Sequence, residues 1–157
     1  MSQGAIIPFK SFEFPFKGDI TPEQLDAVEA AGLEVAQVDI PVKHTFLDGV
    51  YIREGTLPAG TFAIGHHHNT EHWCVLLTGR LLLCNPDRTE TEIKAPCTFK
   101  GGIGRKVVYV PEDTLMQNIH ATHGWTDEEK ADPELFEERL YRKSAAFKAH
   151  HAKKIKA

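Results

Sequence analysis

The side chains able to do chemistry in this sequence are mostly imidazoles, and they crowd into one stretch between Gly60 and Gly79 whose centre reads His66-His67-His68-Asn69-Thr70-Glu71-His72-Trp73-Cys74. On an extended strand, residues two apart share a face, so His66, His68 and His72 point to one side while His67, Glu71 and Trp73 point to the other. Three imidazoles turned into a protein interior leave several polar nitrogens in need of partners, and a metal ion satisfies them directly. The competing reading of residues 66–68 is a polar surface loop or an adventitious metal binder. Parity, the flanking glycines and His72 together favour the interior site. His67 is expected to be exposed, and Glu71 to make an external salt bridge or interface contact rather than to act as a catalytic acid. Cys74 shares the parity of the histidines and is expected to line the same cavity as a small buried hydrophobe, not as a nucleophile.

The spacing resembles the first cupin motif, which runs Gly, five residues, His, one residue, His, three or four residues, Glu, six residues, Gly. Gly60, His66, His68 and Gly79 match it, and His72 stands where the glutamate would be. The second cupin motif is resembled at Gly104 and Pro111, with Met116 where a metal-binding histidine is usual and His120 where an asparagine is usual. Met116, Asn118 and His120 share strand parity, so His120 can enter the interior from an opposing strand and supply the missing ligand. Met116 and Asn118 would then shape the cavity beside it. The sequence is also similar to small cupin-like proteins encoded in bacteriophage genomes, at residues 68–72, 94–99, 104–106, 112–114 and 119–122. That resemblance implies His68, His72 and His120 as the core ligand set with His66 as an addition, and it implies a fold and a site more than a reaction.

The expected ligand set is therefore His66, His68, His72 and His120. Imidazoles without an obligatory carboxylate suit one divalent transition metal, whether Zn, Fe, Ni, Cu or Mn, and disfavour Mg and Ca, which prefer oxygen. A coordination position not filled by protein would take water or a small-molecule ligand, and the metal could polarise a carbonyl or activate oxygen or water. Two functions follow. One is a metal-dependent cupin enzyme acting on a small organic molecule by oxygenation, isomerisation or hydrolysis. The other is a non-catalytic ligand-binding or phage structural or accessory cupin in which the metal is structural. His44, His123, His150 and His151 carry no supporting pattern and read as surface residues.

The elements that must position these residues are short β-type runs at 38–42, 50–54, 61–78, 81–84, 91–93, 107–110 and 115–121, divided by turn residues at Asp48-Gly49, Asn85-Pro86-Asp87 and Gly101-Gly102. Many strands with Gly and Pro turns between them predict a mainly β fold. With the resemblance, this becomes a cupin (jelly-roll) β-barrel with a short N-terminal helix and C-terminal helices. The N-terminal helix follows from Thr21 as N-cap, Pro22 at the first helical position and Gln24 completing a capping box, with Gly32 expected to close it. Thr126 and Glu129 form a second capping box, and Asp132-Pro133 starts a helix expected to carry Phe136, Leu140 and Phe147 along one side. Three regions result: an N-terminal arm and helix at 1–32, the barrel at 33–123, and a helical extension with a basic tail at 124–157. Phe12, Phe14 and Phe16 sit at period two in the arm and would lay an aromatic face on something apolar.

Composition narrows the function classes. A chain of 157 residues fits one core without disulfides, and a net charge of -4 argues against a general field for nucleic acid, although residues 148–157 are locally basic. Three cysteines without CxxC spacing and no secretory signal pattern at the N-terminus predict a reducing, cytoplasmic setting, the host cytoplasm for a phage protein, with the virion as the other location. The longest apolar run is broken by Thr78-Gly79-Arg80, so a membrane role is not expected. The segment after His72 is apolar on both faces, with Leu76 on one side and Trp73, Val75 and Leu77 on the other. Its outer face needs a cover, and the Phe-rich arm, a C-terminal helix or the second subunit of a homodimer could supply it.

Overall fold

The computed structural model describes residues 4–8 and 19–157, and in it the chain is mainly β, with helices at both ends of a curled sheet. The aromatic arm at residues 9–18 lies outside the described residues. Strand β1 (Ala5–Pro8) is followed by helix α1 (Pro22–Leu33), then by β2 (Val42–Leu47), β3 (Val50–Leu57), β4 (Thr61–Ile64), β5 (His67–His68), β6 (His72–Cys84), β7 (Glu90–Lys94), β8 (Cys97–Gly101) and β9 (Val107–Ala121). Beyond the barrel come α2 (Asp127–Ala131), α3 (Pro133–Leu140), β10 (Tyr141–Arg142) and α4 (Ala145–Lys156).

The longest strand, β9, is the spine of the curled sheet. It pairs antiparallel with β4 and β3 on one side and with β6 on the other, while β6 carries β7 and β8. The register between β6 and β9 slips three times between Leu76 and Leu82, and such bulges bend a strand and increase its twist. Gly79 makes this bend feasible. Its φ is +84°, and a Cβ there would lie 2.3 Å from the Thr114 hydroxyl, which itself accepts from the Arg80 amide. Along β6 the alternation is plain: His72, Cys74 and Leu76 are buried, whereas Trp73 and Leu77 are exposed.

Both capping boxes form as the local sequence requires, Thr21 with Gln24 and Thr126 with Glu129. Helix α1 runs through Gly32 to Leu33, because Gly32 is packed inside rather than turned into a left-handed cap. Residues 38–41 are not a strand, the two β-runs at 107–110 and 115–121 are one continuous strand, and β8 was not expected at all.

The C-terminal helix also departs from expectation. It stops at Leu140, and Tyr141 and Arg142 become a strand that pairs with His68 and His67. Ser144 then caps a new helix, so Phe147 does not share a helix with Phe136 and Leu140. Phe147 instead joins Val28, Leu33, Phe62 and Ile64 in a cluster that covers the outside of β4 with α1 and α4. Phe136, Leu140 and Tyr141 pack on Tyr51 at the histidine end of the barrel. Each buried side chain of this size contributes roughly 1.5–3 kcal/mol. Since both terminal helices are used elsewhere, Trp73 remains 47% exposed.

Candidate metal centre

Three strands deliver the central histidines. His120 lies on β9 directly opposite Tyr51 of β3, His72 opens β6 opposite Gly101 of β8, and His68 ends β5 opposite Tyr141 of β10. One ring nitrogen from each falls within 4.8 Å of the other two. The rings are stacked, with centroids 4.3 Å apart for His68 and His72 and 4.8 Å for His72 and His120.

Close support fixes two of the three. The His72 ring lies so near the β8 backbone that a Cβ on Gly101 would come 2.2 Å from Nε2, so only glycine leaves the space. On its other side, His72 Nδ1 is 3.3 Å from the Thr70 carbonyl. A proton donated there leaves Nε2 as the ligand atom, the usual way an outer hydrogen bond sets a tautomer. His120 is 2% exposed and stacks on Tyr51 at 5.9 Å, and the Tyr51 hydroxyl is 2.7 Å from His44 Nδ1. Burial pushes the Tyr51 phenol up, so it stays protonated.

Electrostatics keeps the cluster neutral. Burial, with mutual repulsion and the nearby Lys106 and Arg53 charges, lowers His68 to about 3. Burial, His72 and Arg53 lower His120 to about 3 as well, and burial lowers His72. Neutral imidazole is the form that binds a metal. Nor do the nitrogens find partners in the protein: both of His120 and Nδ1 of His68 are buried without a hydrogen bond. Native interiors rarely tolerate such orphans. The donor set therefore fits a transition metal with three imidazole ligands.

His66 does not belong to this group. It lines the same cavity as His68 and His72, as parity expects, but only His68, His72 and His120 bring their ring nitrogens together. The His66 ring is 4% exposed, but its Nε2 accepts from the Gly4 amide at 3.1 Å and its face meets Phe147 edge-on at 4.7 Å. Its role here is core packing that ties β1 to α4.

Glu71 is exposed and ion-pairs with Lys100 at 2.8 Å, and His44, His123 and His151 are exposed. His150 is half-buried. Cys74 is buried, and burial pushes its thiol up to about 11, which keeps it protonated and unreactive. Cys74, Met116 and Asn118 all line a cavity of about 230 Å³ onto which His68 and His72 open. Tyr51, Gly101 and Tyr141 were not singled out from sequence. Gly101 was visible as part of a turn pair, whereas Tyr141 looked like one more helical residue.

No family model and no curated protein matches the sequence. Among solved structures, the chain is similar to an acetylacetone dioxygenase from Acinetobacter johnsonii, at 14% identity over 52% of this chain and 58% of that one, with a TM-score of 0.42. It is similar to an RmlC-like cupin family protein with a double-stranded β-helix fold from Methanocaldococcus jannaschii, at 17% identity over 54% of this chain and 82% of that one, TM-score 0.46. A cupin domain from Bordetella pertussis gives 17% identity over 56% of this chain and 98% of that one, TM-score 0.45. The aligned region spans under two thirds of the dioxygenase's length.

Proposed function

We propose that the protein binds one divalent transition metal on His68, His72 and His120 and uses it on a small organic molecule held in the adjoining cavity. The observation that carries this reading is the burial of His120 with both ring nitrogens unpartnered, within reach of two further imidazoles. Three protein ligands, two of which (His68 and His72) line the cavity, support an open coordination position, which is the pattern of metal sites that bind substrate, whereas structural sites fill all four positions from protein. A metal in such a place supplies Lewis acidity toward a carbonyl, or activation of water or oxygen. Leu81, Phe99 and Met116 exclude water around it, and Asn118 offers one polar contact.

A second reading, ligand capture without turnover, is favoured by one observation. Among the described residues no Asp or Glu lines the cavity, and the Cys74 thiol is held protonated, so no evident proton-transfer pair faces a ligand. Oxygenation or Lewis-acid chemistry needs no such pair, which keeps the enzymatic reading first.

Elemental analysis of protein purified without a histidine tag tests the proposal. Close to one equivalent of transition metal is expected in the wild type and in His67→Ala, and a small fraction of it in His72→Ala. Equal metal content in all three proteins would sink the site.

A further inference from the structure

Asn118 sits where the histidine cluster gives way to the apolar part of the cavity. Phe99 of β8, Cys74 of β6, Asn118 of β9 and Arg53 of β3 pair in register across four strands, and all four line the cavity. His120 follows two residues later on the same face of β9, and Met116 precedes by two. Met116 in turn packs with Leu57, Leu81 and Ile93, which also line the cavity, in one apolar cluster.

The asparagine is 6% exposed, and its Oδ1 has no hydrogen-bond partner. Neither neighbour in the row supplies one: Arg53 has an interaction of its own, and the Cys74 thiol makes no bond to the amide. A buried acceptor in this state is costly, and a donor brought by a ligand removes the cost. Water serves less well, because an ordered water needs two to four polar partners and Phe99 and Met116 offer none. The lining also limits what carries the donor. A cationic group would find no carboxylate on it among the described residues, whatever partners Arg53 and Lys100 have outside. An apolar cavity of about 150 Å³ accommodates benzene, and this one, at about 230 Å³, has room for a substituted ring.

We propose that the cavity binds a small, uncharged, largely apolar molecule of the phenol class, whose hydroxyl donates to Asn118 Oδ1 and whose ring lies against Phe99 and Met116. That such a molecule is the substrate rests on the metal site proposed above, whereas its binding does not.

Calorimetric titration of the full chain with phenol and with anisole, both as purified and after treatment with a chelator, tests it. Anisole keeps the ring and the oxygen but lacks the proton. Phenol should bind about tenfold tighter than anisole in both preparations, as one buried hydrogen bond predicts. In Asn118→Leu phenol should weaken about tenfold and anisole change by less than about twofold, with circular dichroism unchanged. Asn118→Ala gives the same readout should the leucine not fit, and Asn118→Asp, which keeps an acceptor, should retain the preference. The proposal is overturned by equal binding of phenol and anisole, by no binding of phenol at about 10 mM, or by an intact preference in Asn118→Leu. A preference confined to one preparation also overturns it, since the donor would then go to the metal or to the bared imidazoles. A wild type that holds no metal yet shows the preference, with its loss in Asn118→Leu, sinks the metal reading alone.

Discussion

His66 and His120 are near-equals in depth, 4% and 2% exposed, and burial lowers both to about 3. Their surroundings differ in kind. His66 is received by the protein itself, with an amide on Nε2 and Phe147 against its face, whereas His120 has an aromatic neighbour and nothing polar for either nitrogen. Depth and weak basicity are what any interior imidazole shows, so neither marks a ligand. What separates the two is that one nitrogen of His66 is engaged by the Gly4 amide, whereas neither nitrogen of His120 has a hydrogen bond.

The sharpest way to break this contrast is to remove a ring from each side. His120→Ala and His72→Ala should each lower metal affinity at least about 100-fold, read by competition with a chromophoric chelator. Lowering the pH comes next. The His68 and His120 imidazoles titrate near 6.5 in the unfolded chain and near 3 in the folded metal-free chain. Between those values the unfolded state takes up more protons, so stability is full above pH 6.5 and falls as pH drops toward 3, which urea midpoints would trace. Bound metal should be shed over the same window, since protons compete for its ligands.

Gly101→Ala is a subtler test, because it leaves every ligand in place. The added methyl must displace the His72 ring, and metal affinity should drop about tenfold with the fold retained. His66→Ala should do the reverse, leaving metal stoichiometry intact while costing roughly 2 kcal/mol, or a fall in Tm of about 6 °C. A loss of metal in His66→Ala matching that in His120→Ala would erase the distinction between them.

What could be read in the sequence was what is settled locally. Thr21, Pro22 and Gln24 decide a helix start within four residues, and Thr126 with Glu129 does the same. Strand parity placed Cys74, Met116 and Asn118 on the cavity wall because β6 and β9 are regular there. Parity and motif spacing grouped His66 with the ligands, and the residue does line the same cavity, but its Nε2 accepts from the Gly4 amide instead of joining the other three. His68 and His72 still converge, but across an irregular link at 69–71 rather than along one strand. The failures at β8 and β10 have another cause. Neither segment has a strong β pattern of its own, and each is held extended by a distant partner, β6 in one case and His67-His68 in the other.

That pairing of β10 with β5 has a consequence for biosynthesis. His68 emerges from the ribosome about seventy residues before Tyr141, the residue that holds its backbone in place. Until that later segment has emerged and docked, the nascent chain presents two of its three imidazoles without the third fixed, so metal capture belongs to the end of folding rather than to its beginning.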